Sequence, residues 1–496
     1  MMVRQAAALA SIAVLLATAC TRTNTGAGAS PSSTPSSASS LAWKDCGGGL
    51  QCATLQVPLD YSHPSARSIG LALIRKPVTD AANRIGSLLL NFGGPGESGL
   101  QFMHDGASTF KNLNTRFDLV SFDPRGVGQS APVSCVDGPA EDAYLGLDGV
   151  LDDPQEKQAA IQADKDFAAG CQARSGDLLP FMDSMSTARD MDMIRAAVGD
   201  SKLTYLGFSY GTYIGQAYAH LFPTRVRALS LDGVVDATVP ANESNLSQVV
   251  GFEQNLQAFL TDCRKNKNAA KPCAFAQVGD PAAKLTQLMQ ILDTTPMQVG
   301  SRQLTRALAM TGVLQALYDQ SLWAYLDQAL TAADRGDGRI LLVLADFYNQ
   351  RNADGTYANL FNGAFLSTYC LDWPVPQDVA AYDALGPAFA TASPLFGPWS
   401  QYSNLQCAYW PVKAIGTNAP MTVSGAPPIL LVGGTDDPAT PYAESQSVNR
   451  QIRGSILLTR QGNGHTSYQT SLCAQAAEDL YLIDLKLPAA GTICSS

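Results

Sequence analysis

At 496 residues, 46% of them apolar, the chain is long enough for one large α/β unit with an insertion, or for two or three domains. Charged residues make up only 15%, the net charge is −10, and no basic stripe runs through the sequence. Nothing is there to neutralise phosphates, which argues against nucleic acid as a partner.

The N-terminus reads as a targeting segment. After Arg4, the apolar run from Ala6 to Ala17 is too short to span a bilayer as a mature helix. It ends in Leu16-Ala17-Thr18-Ala19-Cys20, which resembles a bacterial lipobox in which Cys20 is acylated; cleavage near Ala19 in ordinary secretion is the alternative. Residues 1–19 are expected as a signal peptide. Residues 20–41, rich in Ser, Thr, Gly, Ala and Pro, are expected as a tether, because such a segment buries too little apolar area to fold.

From there, apolar runs mark strands over Ile69–Lys76, Ser87–Phe92 and Phe117–Phe122. The second runs into the glycine-rich loop Gly93-Gly94-Pro95-Gly96-Glu97-Ser98-Gly99. A helix is expected over Thr187–Val198 with Thr187 as its N-cap. The strand Leu203–Phe208 leads into Gly207-Phe208-Ser209-Tyr210-Gly211, a G-x-S-x-G pattern at a strand-to-helix turn, which exposes a serine hydroxyl. Another strand spans Val226–Leu231. About two hundred residues then pass before the next strand, Ile429–Val432, far more than a crossover needs. Helical periodicity over Phe252–Cys263, Pro281–Leu292, Thr305–Ala333 and Arg339–Asn349 makes that stretch an inserted helical region, set at 236–425 between core parts 42–235 and 426–496. The last strand is Ile456–Thr459. Unbroken apolar strands separated by helices predict an α/β fold with a mostly parallel sheet covered by helices.

A serine nucleophile needs a base, and the four histidines are His63, His104, His220 and His465. Only the last two follow Ser209. His220 sits at the far end of the helix leaving the turn, carried away at about 1.5 Å per residue. His465, on the loop Gly462-Asn463-Gly464-His465 after the last strand, is the expected base. The acid that orients it is expected on the loop after Ile429–Val432. Asp437 is preferred there and Asp436 is the alternative. The N–H groups of Gly94 and Tyr210 are the candidates for holding an oxyanion. This chemistry requires no cofactor. No C-x-x-C pair occurs and the histidines are scattered, so no metal site is expected.

There are eleven cysteines. Setting Cys20 aside leaves an even number, suited to an oxidising compartment. Pairing of neighbours, which closes short loops, gives Cys46–Cys52, Cys135–Cys171, Cys263–Cys273, Cys370–Cys407 and Cys473–Cys494.

Several segments together carry a family resemblance. Phe92-Gly93-Gly94-Pro95-Gly96 resembles the HGGPG loop of proline iminopeptidase-type hydrolases, with Phe where many members have His. Asp123-Pro124-Arg125-Gly126-Val127-Gly128-Gln129-Ser130 resembles their D-x-R-G-x-G-x-S turn. Asp437-Pro438-Ala439-Thr440-Pro441 and Gly464-His465-Thr466-Ser467 resemble the C-terminal segment of secreted tripeptidyl aminopeptidases of the same serine peptidase family. The resemblance implies an α/β-hydrolase fold with a helical lid, peptide substrates cleaved near their N-terminus, and carboxylates near the entrance that hold the substrate amine. Glu97 is the first candidate for that role, with Glu243, Glu253 and Asp372 behind it; Trp323, Tyr325, Tyr348, Trp373 and Trp410 are candidate pocket aromatics. Membrane contact is expected only through the N-terminal lipid. Two other readings stay open: an esterase or lipase acting on cell-envelope acyl groups, and a catalytically inactive, lipid-anchored peptide-binding protein. The presence of Ser209, Asp437 and His465 together argues against the second.

Overall fold

A computed structural model describes residues 41–266 and 272–495. The expected signal peptide, Cys20 and nearly all of the tether lie outside the described residues.

The strands in chain order are β1 (Lys44–Gly47), β2 (Leu50–Pro58), β3 (Ser68–Lys76), β4 (Gly86–Asn91), β5 (Phe117–Phe122), β6 (Leu203–Phe208), β7 (Val226–Asp232), β8 (Met297–Val299), β9 (Arg302–Leu304), β10 (Leu430–Asp436), β11 (Ile456–Asn463) and β12 (Ile493–Cys494). Ten of them form one sheet in the order β1-β2-β3-β5-β4-β6-β7-β10-β11-β12, and β8 and β9 form a separate hairpin. From β5 through β12 all neighbours are parallel, while β1, β2 and β3 make an antiparallel edge. Every residue of β4, β5 and β6 is buried, as a sheet covered on both faces requires.

The two-residue period of a strand distributes these side chains between two cores. Leu88 and Leu90 point into one, beside the helices Gly99–Gly106 and Leu472–Asp484. Leu89 points into the other, beside the helices Ser184–Ala197 and Tyr210–Leu221. Each such leucine contributes about 1.5–3 kcal/mol by leaving water. Ser184–Ala197 is capped by Asp183, whose carboxylate accepts the Ser186 N–H at 2.8 Å. Thr187 is therefore not the cap; it lies buried in the first turn. Among the described residues no helix is long and apolar enough to cross a membrane.

Between β7 and β10 the chain is mostly helical. The helices Ala241–Lys265, Pro281–Thr294, Arg306–Leu317, Trp323–Ala333 and Arg339–Tyr348 build a core of their own around Phe252, Leu256, Leu288, Val313, Leu326 and Leu341. The stretch expected as one helix over Thr305–Ala333 is broken after Leu317, so the Tyr318 carbonyl leaves the helical ladder. The later part behaves differently: Leu366, Cys370, Leu371 and Trp373, with Cys407 and Trp410, join the core on the sheet. The structure pairs Cys46–Cys52, Cys135–Cys171, Cys263–Cys273, Cys370–Cys407 and Cys473–Cys494.

Candidate active site

Ser209 stands between β6 and the helix Tyr210–Leu221 with φ +53° and ψ −124°. A non-glycine residue there is strained by about 1–3 kcal/mol, and the surroundings must impose it. They do so through close approach. A Cβ on Gly207 would lie 2.7 Å from the Gly211 carbonyl oxygen, and one on Gly211 would lie 2.8 Å from the Asn91 carbonyl oxygen. The Ser209 N–H donates to the Asp232 carbonyl at 2.9 Å, which ties the turn to the end of β7.

His465 enters from the loop after β11. Its Nδ1 lies 2.8 and 3.0 Å from the two carboxylate oxygens of Asp437. Asp437 also accepts N–H groups from Ala439, Thr440 and Thr466 at 2.9–3.0 Å. Burial pushes its carboxyl up, but the His465 charge and these hydrogen bonds outweigh burial and hold it below the ordinary value. Asp436 takes a different place: half-buried, it accepts the Thr435 hydroxyl at 2.8 Å. On the far side of the imidazole, His465 Nε2 is buried and has no hydrogen-bond partner among the described residues. Thr440 Oγ1, which sequence reasoning overlooked, lies 3.4 Å from His465 Nδ1. Gly233, one residue past the carbonyl that holds Ser209, faces the same ring: a Cβ on it would meet His465 Cε1 at 3.2 Å.

The loop after β4 closes over the serine. Gly93, at φ +96°, is so near the turn that a Cβ would lie 2.7 Å from the Phe208 carbonyl oxygen and 3.0 Å from the Tyr210 nitrogen. Its N–H is held by Asn91 Oδ1 at 3.0 Å. Gly94, Ser209 and Tyr210 line one cavity of about 270 Å³. Tyr210 opens its helix, so its N–H has no acceptor within the helix. The D-x-R-G-x-G-x-S segment serves as a brace. Arg125, fully buried, forms two 2.7 Å bonds to Asp190. Asp123 accepts the Ser98 hydroxyl and the Leu100 and Gln129 N–H groups, which fixes the loop that carries Gly94.

The helical segment supplies most of the remaining cavity wall, including Phe252, Tyr318, Tyr348, Trp373, Phe396 and Trp399. Of the aromatics expected to form a pocket, Tyr348 and Trp373 do line it. Trp323 and Trp410 are core residues, and Tyr325 is 57% exposed. None of the four carboxylates expected to hold a substrate amine is in the wall. Glu97 accepts Gln350 Nε2 at 2.7 Å, and Glu253 accepts the Ser393 hydroxyl at 2.5 Å. Glu243 is exposed. Asp372 is buried behind the turn, where it accepts the Tyr210 hydroxyl and the Ser184 N–H. A carboxylate that sequence reasoning missed, Glu444, is in the wall.

Residues 86–471 match the profile described as the alpha/beta hydrolase fold. The chain belongs to that family. Its sequence is 36% identical over 472 residues to "Serine protease Hip1" of Mycobacterium tuberculosis, covering 90% of this chain and 88% of that one. It is 36% identical over 460 residues to "Carboxylesterase B" of the same species, covering 90% and 86%. It is 32% identical over 468 residues to "Tripeptidyl aminopeptidase" of Streptomyces lividans, covering 91% and 86%. These similarities run through the sheet and the helical segment alike.

Proposed function

We propose that the protein is an exported serine peptidase that releases short peptides from the N-terminus of its substrates. The observation that carries this reading is the pairing of buried Asp437 with His465, whose Nε2 is left unpartnered, together with a serine at a strained strand-to-helix turn that lines a cavity. His465 Nε2 takes the proton from Ser209 Oγ as the oxygen attacks the scissile carbonyl carbon. The Gly94 and Tyr210 N–H groups receive the oxyanion. The C–N bond then breaks, and the leaving amine takes the proton from His465. Water repeats the sequence on the acyl-enzyme and frees the serine. Asp437 holds the imidazole tautomer throughout.

The peptide class is supported by the relatives named serine protease and tripeptidyl aminopeptidase. The relative named Carboxylesterase B is the observation on the side of an ester substrate, since the same steps cleave esters. Residues 236–425 act in this reading as a lid on a core made of 42–235 and 426–496. Export is supported by the N-terminal apolar segment and five disulfides. Acylation of Cys20 would hold the protein at the outer face of the membrane, and mass spectrometry of the mature N-terminus tests it.

A fluorophosphonate should label the wild-type protein at Ser209 and leave Ser209→Ala unlabelled. A folded wild-type protein that resists labelling would sink the hydrolase. Peptidyl amides with free and with acetylated N-termini, run beside acyl esters, test the substrate class. Ester turnover without amide turnover would favour the esterase.

A further inference from the structure

The cavity over Ser209 has a single charged side chain in its wall. Among the described residues that line it, Glu444 is the only Asp, Glu, Lys, Arg or His, so no cationic side chain in the wall offsets it. It lies in the first turn of the helix Tyr442–Gln451, seven residues beyond Asp437, and is 6% exposed. The only hydrogen bond to its carboxylate among the described residues comes from the Asp236 N–H to Oε2 at 2.9 Å, so Oε1 is unclaimed.

The other acids nearby are committed. Asp236 accepts the Thr238 N–H and hydroxyl and receives Gln451 Nε2. Asp437 is bound to His465 and three N–H groups. Burial, and then the charges of Asp236 and Asp437, push the Glu444 carboxyl up to about 8. A buried acid with so little compensation is costly on its own. A cation from the substrate would reverse that cost.

The surrounding wall suits one. Tyr369 lies close enough to Glu444 for the carboxylate's charge to add to the burial that raises its phenol pKa. Tyr369 is stacked between Phe365 and Trp373 at centroid distances of 5.3 and 5.2 Å. Aromatic faces attract ammonium groups and present no donor to compete for the carboxylate.

We propose that Glu444 binds the α-ammonium group of the peptide whose acyl part is transferred to Ser209, and so selects substrates with a free N-terminus. The proposal rests on the peptidase reading above and assigns to Glu444 the role that the sequence suggested for Glu97.

The test compares kcat/KM for a tripeptidyl 4-nitroanilide with a free N-terminus and for its N-acetyl form, in wild type, Glu444→Gln and Glu444→Asp. Wild type should prefer the free amine by roughly 30-fold or more, the scale of removing one partner of a buried ion pair. Glu444→Gln should erase the preference by losing activity on the free peptide alone, and Glu444→Asp should keep part of it. Fluorophosphonate labelling of Ser209 reports that each variant is folded. If wild type prefers the free amine and Glu444→Gln retains the same ratio, the assignment to Glu444 is wrong while the aminopeptidase stands. If wild type shows no preference, both are wrong. Should Glu444→Gln fail to label, Glu444→Asp decides: withdrawing the carboxylate by one methylene must lower the ratio, and an unchanged ratio overturns the proposal.

Discussion

The sheet and the helical segment between β7 and β10 divide the site unequally. The groups proposed to react, Ser209, Asp437 and His465, all sit on turns at the ends of β6, β10 and β11, where backbone pairing positions them. The segment supplies the aromatic wall. It is more than a cover, because it also grips the loops that hold the acid and the base. The Tyr318 carbonyl, freed by the break after Leu317, accepts the His465 N–H at 2.7 Å. In the helix Ala241–Lys265, Gln248 donates to the Ala439 carbonyl at 2.8 Å and Asn255 to the Asp436 carbonyl at 2.9 Å. In the proposed mechanism the chemistry thus belongs to the sheet, while its alignment is shared.

The largest effect that separates these roles lies on the sheet itself. Asp437→Asn should lower kcat by about 10⁴-fold, because the imidazole loses the acceptor that fixes its tautomer. Asp436→Asn should change activity by no more than a few fold, since among the described residues that side chain hydrogen-bonds only to Thr435. Steady-state kinetics on one peptide substrate checks both. The reverse order would mean that the loop rearranges when substrate binds.

A smaller effect tests the grip of the segment. A Cβ on Gly251 would lie 2.8 Å from the Pro438 Cα and carbonyl oxygen, so Gly251→Val must displace either the helix or the acid loop. Misplacing a catalytic group by about 1 Å can cost around 10²-fold. We expect kcat to fall by roughly 10- to 100-fold, with the fall in the rate of fluorophosphonate labelling matching it. An unchanged labelling rate would make the segment a passive cover and break the comparison.

The same division explains what could be read in the sequence. β4 to β7 and β10 stand out because burial on both faces demands unbroken apolar runs, and β11 is marked by its apolar start, Ile456-Leu457-Leu458. β2 escaped notice because its Leu55-Gln56-Val57 alternation reflects one wet face, and β12 is only two residues long. The serine turn and the histidine loop are local patterns, hence visible. The break at Tyr318 was hidden because Arg306–Leu317 is buried nearly all round, so no change of apolar face marks its end. Glu444 was invisible for a different reason. In Tyr442-Ala443-Glu444-Ser445 it reads as an ordinary first-turn helix acid, and the aromatics that line the cavity with it, Tyr369 and Trp373, lie more than seventy positions away in sequence.

The smallest expected effect concerns stability and involves both regions. Burial raises Asp372 of the segment to about 7 and Glu444 at the sheet to about 8. It also raises the neighbouring pair Asp232 and Glu478 beneath the histidine loop. An acid whose pKa is raised on folding binds its proton more tightly in the native state. Its stabilising contribution is therefore complete below the unfolded pKa, near 4, and is lost as pH rises through the folded value. Asp437 has the opposite sign, because its lowered pKa favours the fold above that range. The raised groups outnumber it, so Tm should fall between pH 5 and pH 8.5, as measured by thermal unfolding of the full chain. The two regions should separate within that fall: Asp372→Asn should remove a step near pH 7, and Glu444→Gln one near pH 8. A Tm that rises across this range would mean that these carboxyls are hydrated in solution, and Glu444 would then have to be more exposed than its 6%.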